Sequence, residues 1–200
     1  DGEVRILREA RPHAGLDGRN RCALQRQLVE EEVLRDLVGV DGVQQLRGVF
    51  TAWEHRYLEV DYIPGVTLSS WMVQNTHLQE KDPVEYARQV VAIVEQLIAV
   101  VEAIHQRGWA FGDLHPGNVL VSDDGAVTML DLEDASRLDS KRELGVRVFE
   151  YCADETANAR QADWFAVARC IMMLYCSDFE IEAVSPAFWD RCRHRVREVY

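Results

Sequence analysis

The chain has 200 residues, enough for one large or two small domains, and its 48% apolar and 28% charged residues argue against disorder. A formal net charge of −12 with no basic stripe argues against a nucleic-acid-binding or anionic-membrane surface. Five cysteines (Cys22, Cys152, Cys170, Cys176, Cys192), odd in number and without a Cys-x-x-Cys pair, read as reduced thiols of a cytosolic protein.

Asp1-Gly2 reads as the tail of a hairpin turn, and the start on a strand-like run without Met gives the expectation of a fragment or excised domain. Alternation over Val4–Arg8 predicts a strand with Ile6 and Arg8 on one face and Arg5 as an exposed arginine. His13 to Asn20 is turn-rich. From about Arg21 to Val38, Leu24, Leu28, Leu34 and Leu37 recur at helical spacing beside Glu30, Glu31 and Glu32, of which at least two are expected to be solvated. Gly39–Gly42 closes this helix. Strands follow at Leu46–Trp53 and His55–Ile63, and Pro64-Gly65 then breaks the pattern, so a lobe boundary is placed between residues 1–63 and 64–200.

Leu68–Val73 reads as a short helix. Asp82-Pro83-Val84-Glu85 is a strong helix start, with a capping Asp, Pro at the first position and Glu completing a capping box. That helix runs about seven turns to Arg107 and stops at Gly108. Its stripe of Tyr86, Val90, Ile93, Val94, Leu97, Val101 and Ile104 would form a core. Val90–Ile104 is the most apolar segment, but it carries Glu95, Gln96 and Glu102, so it reads as a core helix rather than a membrane span, and no signal-peptide pattern is present. His105 is expected to pack or cap. Two apolar runs, Asn118–Val121 and Val127–Leu132, flank Ser122-Asp123-Asp124-Gly125 as a hairpin. Ala135–Thr156 is polar and irregular, and Trp164–Cys176 reads as a buried helix with Met172, Met173 and Tyr175 in the core. Arg191 to Arg197, interleaved with Cys192, His194 and Val196, reads as one exposed helix face.

The hairpin organises the chemistry. Asp113 and Asn118 lie five residues apart on a Pro116-Gly117 loop at one end, and Asp131 lies at the far end of the second strand, so folding brings the three together. Two carboxylates and an amide carbonyl suit Mg²⁺, which takes oxygen ligands and keeps phosphate oxygens in its shell. Asp-x-x-x-x-Asn, a hairpin, then an apolar residue and Asp is the core pattern of kinase-like phosphotransferases. The alternative is that Asp113 and Asp131 are ordinary loop caps.

Strands and one helix first, then helices around a small hairpin, is the order of an α+β, bilobal protein-kinase-like fold. Here it would have a partial N-lobe sheet with its helix C and a partial, mainly helical C-lobe. RILREARPHAGLDG, WEHRYLEVDYIPGVTL and FGDLHPGNVLV together resemble the kinase domain of class III lanthionine synthetases, from about Val4 to Tyr175, with EARPHAG pointing to this family. Such lyase–kinase–cyclase enzymes phosphorylate Ser/Thr of a ribosomal precursor peptide. The resemblance therefore implies a cytoplasmic enzyme with ATP or GTP as co-substrate, Mg²⁺, a precursor-peptide partner, and lyase and cyclase domains in the same full-length chain.

By the same resemblance Asp113 is the catalytic Asp that orients the substrate hydroxyl, and Asn118 and Asp131 are the metal-holding residues. Leu120 is the floor under the base, and Val60, Asp61, Tyr62 and Ile63 form the hinge, with main-chain groups of Asp61 and Ile63 available to the purine. Arg8 stands at the strand-three lysine position and Glu30 at that of its helix-C partner, with Glu31 a rival one residue on. If charge matters more than shape there, Arg8→Lys should retain or raise activity. The sequence departs from the kinase pattern at Arg8, at Gly112 in place of the Arg before the catalytic Asp, and at Leu132-Glu133 in place of Phe-Gly. It also has no G-x-G-x-x-G, which predicts a phosphate-covering loop upstream of Asp1 or none. Two other readings stay open: a small-molecule phosphotransferase of aminoglycoside or choline type, whose loop also reads GDLHPGN, and a pseudokinase scaffold.

Overall fold

The computed structural model describes residues 3–12, 14–140, 148–153 and 156–175. Asp1-Gly2, His13 of the EARPHAG run, Cys176, Cys192 and the Arg191–Arg197 segment lie outside the described residues. The first sheet is antiparallel with order β1 (Arg5–Ala10), β3 (His55–Asp61), β2 (Leu46–Ala52). Its register pairs Arg8 with Leu58 and Arg5 with Asp61, and that second pairing changes the expectation for Arg5. Rather than pointing into water, Arg5 forms ion pairs with Asp61 and Glu3.

Helix α1 (Ala23–Asp36) lies on this sheet. Its start is set by Gln25, whose Oε1 accepts from the Cys22 N–H at 2.8 Å. It is anchored by buried Gln27, which donates to the Arg8 carbonyl at 2.8 Å and accepts from Arg56 at 2.8 Å. After the helix, Gly39 and Gly42 adopt φ of +73° and +75°. At Gly42 a Cβ would lie 2.2 Å from Val100, so the turn needs glycine to pass that close to the long helix.

Val43 then bridges in parallel to Met129, which ties the loop before β2 to the hairpin. Beyond β3, β4 (Val66–Thr67), β6 (Val119–Val121) and β7 (Val127–Met129) form a second antiparallel sheet in the order β4-β6-β7, while β5 (Trp109–Ala110) pairs with β8 (Ser136–Arg137). Gly125 closes the β6–β7 turn at φ +81°. The irregular stretch after Ala135 is thus not wholly irregular: besides β8 it holds a 3₁₀ turn at Phe149–Tyr151.

Helix α2 runs Leu68–Lys81, well past the short helix expected. Its polar second half bonds back within the helix, Asn75 to the Trp71 carbonyl and Thr76 to that of Met72, while Leu78 packs on the core. Packing there overrides weak helical propensity. Asp82 ends α2 and caps α3 (Pro83–Gln106), accepting from the Glu85 N–H at 3.0 Å. The Glu85 carboxylate turns forward instead, onto Arg88 and Gln89. α3 buries Tyr86, Val90, Ile93, Leu97, Val100, Val101 and Ile104. α4 (Ala159–Tyr175) begins five residues before Trp164, where Asn158 accepts from the Gln161 N–H; Ala166, Val167, Cys170 and Leu174 are buried in the core, while Met172 is half-buried. Among the described residues no helix is long and apolar enough to cross a membrane.

Candidate active site

The short strand β5 delivers Phe111-Gly112-Asp113 into a loop that is gripped from below. Asp163 of α4, 2% exposed, accepts from the Phe111 N–H at 2.7 Å and the Gly112 N–H at 3.0 Å. The same carboxylate lies 2.8 Å from His105 Nε2, which acts as donor because an ionised carboxylate can only accept. His105 therefore packs and pairs, as its position at the end of α3 suggested. Beyond this grip, Asp113 carries a side chain about a quarter exposed. Asn118 Nδ2 donates to the Asp113 carbonyl at 3.0 Å, which turns Oδ1, an acceptor atom, away from that bond. The Asn118 carbonyl accepts from the Leu130 N–H at 2.8 Å, so hairpin pairing sets Asp131 one residue beyond Asn118's partner.

Asp131 has φ +62°, a left-handed conformation uncommon for a residue with a Cβ. Its carboxylate is 43% exposed and 4.0 Å from Arg8 Nη1. Arg8 reaches in from β1, with Nη1 paired to Glu30 and Nη2 bonded to Gln44 Oε1 at 2.9 Å. Between the two glutamates, Glu30 is the one that meets Arg8. Glu31 pairs with Arg35 at 2.7 Å and with Arg56, and Glu32, 60% exposed, reaches Arg137 at 3.0 Å. Only Glu32 is thus a solvated residue, because α1 lies flat enough on the sheet for Arg56 of β3 to claim Glu31. Burial pushes Glu30 up to about 7; Arg8 and the Leu132 N–H oppose the rise and the Asp131 and Glu133 carboxylates add to it.

At the expected hinge Val60 is fully buried at the end of β3, Tyr62 is 52% exposed and Ile63 half-buried. Asp61 is more committed than its position suggested. Its carboxylate, held below the usual range by the hydrogen bond from Arg47, also meets Arg5; its N–H donates to the Gln45 carbonyl at 3.1 Å. Its carbonyl accepts from Gln44 Nε2 at 2.6 Å, leaving one lone pair. Leu120 on β6 is half-buried beside Gly65, where a Cβ would sit 2.8 Å from Leu120 Cδ2.

Residues 16–193 match the protein kinase domain family. The chain belongs to that family. It is 36% identical over 142 residues to the Probable SapB synthase of Streptomyces coelicolor, which covers 67% of this chain and 15% of that protein. It is 25% identical over 149 residues to the putative serine/threonine-protein kinase PRKY of Homo sapiens (71% of this chain, 49% of that one). Against the probable serine/threonine-protein kinase PknB of Lactococcus lactis it is 26% identical over 103 residues (52% and 14%). The chain spans at most about half the length of these relatives. The SapB synthase match agrees with the resemblance to class III lanthionine synthetases, and the α+β architecture is that of a partial protein kinase domain.

In this kinase domain three further residues carry the site. Asp163, a lone acid inside an apolar helix, was a visible sequence signal. His115 stands two residues after Asp113. Its Nδ1 accepts from the Gly117 N–H at 3.0 Å, which places the proton of a neutral ring on Nε2, 3.8 Å from Asp113 Oδ2. Gln44, from the loop before β2, had no pattern to mark it. The kinase domain also explains its own departure at Gly112. This residue has φ +91°, and a Cβ there would lie 2.2 Å from the Asp134 carbonyl oxygen. The segment after Asp131 is then clasped by arginines from α1 and the connection before it. Arg26 pairs with Glu133 at 2.6 Å and Arg21 bridges Asp134 and Asp17, the latter at 2.7 Å.

Proposed function

We propose that this chain is the phosphoryl-transfer domain of a peptide-modifying synthetase. It moves the γ-phosphoryl group of ATP or GTP to Ser/Thr of a ribosomal precursor peptide in the cytoplasm, with lyase and cyclase domains in the same full-length chain. The reading divides the kinase into residues 1–63 and 64–200. The observation that supports it most is the meeting of the Asp113–Asn118 loop, Asp131 and the Arg8–Glu30 pair at the end of one hairpin, in a chain similar to a SapB synthase.

Asp113 orients the acceptor hydroxyl and takes its proton late, with His115 Nε2–H facing the same carboxylate. Asn118 Oδ1 and an Asp131 carboxylate oxygen are hard oxygen donors and fit Mg²⁺. Mg²⁺ held by these two protein oxygens would take its remaining ligands from phosphate and water. When bound, Mg²⁺ supplies charge neutralisation on the phosphate oxygens. Arg8 adds a fixed cation on the phosphate side, the Asp61 carbonyl with Tyr62 and Ile63 borders the purine edge, with Val60 buried behind them, and Leu120 underlies the ring.

The test is Asp113→Asn in the full-length protein. Phosphopeptide mass should report transfer lowered by about 10²–10⁴-fold, with Mg²⁺–nucleotide affinity nearly unchanged. Equal turnover by variant and parent removes the assignment. Nucleotide binding without turnover by the parent would favour a scaffold role.

A further inference from the structure

Gln44 is 3% exposed, and both ends of its carboxamide are used. Oε1 accepts from Arg8 Nη2 at 2.9 Å, and Nε2 donates to the Asp61 carbonyl at 2.6 Å. Its main-chain N–H is turned toward the Met129 carbonyl at 3.4 Å, two residues before Asp131. The side chain is thus a strap between the cation on β1 and the end of β3, seated on the hairpin that carries the metal-side carboxylate. It cannot flip without losing both bonds.

Arg8 in turn meets two acceptors from separate elements, Glu30 on α1 and Gln44 on the loop before β2. A planar guanidinium can serve both with separate nitrogens, whereas an ammonium presents its donors from one point on a flexible stem. A lysine drawn to Glu30 would leave Gln44 Oε1 buried without its donor, a costly state.

We propose that Gln44 is the positioning residue for Arg8. It holds the guanidinium plane in place for the phosphates and ties it to the hinge carbonyl, and it is the reason that position 8 is arginine. This rests on the reading of Arg8 as the phosphate-side cation, and it reverses the expectation that lysine would serve as well there.

The experiment is calorimetry on the full-length protein with Mg²⁺ and ATP, Mg²⁺ and GTP, and the phosphate-free probes adenosine and guanosine. Gln44→Met, of similar length, should weaken the bound triphosphate about tenfold and leave the nucleosides no weaker than in the parent, since the Asp61 carbonyl then has a free lone pair for the base. Arg8→Lys should lose triphosphate affinity to the same extent. Adding Gln44→Met to Arg8→Lys should cost nothing more. Arg8→Lys binding triphosphate as well as the parent overturns the proposal. So does the same factor lost for Gln44→Met on the arginine and lysine backgrounds, or an equal loss of nucleoside and triphosphate, which marks a merely structural role. Should Gln44→Met fail to fold, Arg8→Lys decides alone, because that side chain is a quarter exposed and its replacement leaves no cavity. Arg8→Ala with undiminished triphosphate binding removes the Arg8 assignment itself, a result distinct from additivity.

Discussion

Asp131 and Glu30 show what single residues store. A left-handed φ of +62° at Asp131 costs an L residue of the order of 1 kcal/mol, and the Glu30 and Glu133 carboxylates share its surroundings. Asp131→Gly should therefore hold or raise the melting temperature while abolishing Mg²⁺-dependent nucleotide binding, read by calorimetry with and without the metal. A drop in melting temperature with binding intact would make Asp131 a strand-end cap instead. Glu30 carries a testable pH dependence. Its value rises from the ordinary 4.5 to about 7, so between those limits the folded protein holds a proton that the unfolded chain has lost. Stability contributed there is present at low pH and falls as pH rises through about 7. Denaturant unfolding should show up to about 3 kcal/mol of this loss between pH 5 and pH 8, and Glu30→Gln should flatten the slope. An unchanged slope would show that Arg8 holds Glu30 ionised throughout.

At the scale of elements, the segment after Asp131 is positioned by the approach of two backbones and by α1. Gly112 passes under the Asp134 carbonyl so closely that no side chain fits, and Arg21 and Arg26 fasten Glu133 and Asp134 from the other side. Gly112→Ala combines a positive φ with a contact of 2.2 Å against backbone, and should lower stability by at least about 2 kcal/mol. Urea unfolding checks this, and a cost below 0.5 kcal/mol would mean that the segment is free to move away. The sequence showed that an arginine was missing at 112. It could not show why, because Gly112 and Asp134 are neighbours only once β5 has paired with β8. The same holds for α2, whose second half is polar in sequence and helical because Leu78 packs on the core.

Across the whole molecule one buried apolar cluster runs from Val33 of α1 through α3 and the hairpin to Leu174 of α4. Set against it is a buried polar pair, His105–Asp163, which joins α3, α4 and the loop before Asp113. Removing the carboxylate strands two main-chain N–H groups and a ring N–H among buried atoms. Asp163→Ala should cost about 3–5 kcal/mol in unfolding free energy, and Asp163→Asn, which keeps an acceptor, markedly less. If alanine and asparagine cost the same, the hydrogen bonds to Phe111 and Gly112 are not what holds the loop.

What the sequence determined by itself was local. The Asp113-to-Asn118 spacing, the Ser122–Gly125 turn, the Asp82-Pro83 helix start and the apolar stripe of α3 each act through residues within a few positions of one another, so the family pattern and the core helix were legible without coordinates. The tertiary structure alone decided which of Glu30 and Glu31 faces Arg8, that Asp61 is engaged by Gln44 and Arg47, and that Asp163 grips the loop before Asp113. These contacts join residues 14 to 52 positions apart. At such separations neither periodicity nor turn chemistry carries information, and the partner is chosen by how α1, α3 and α4 pack.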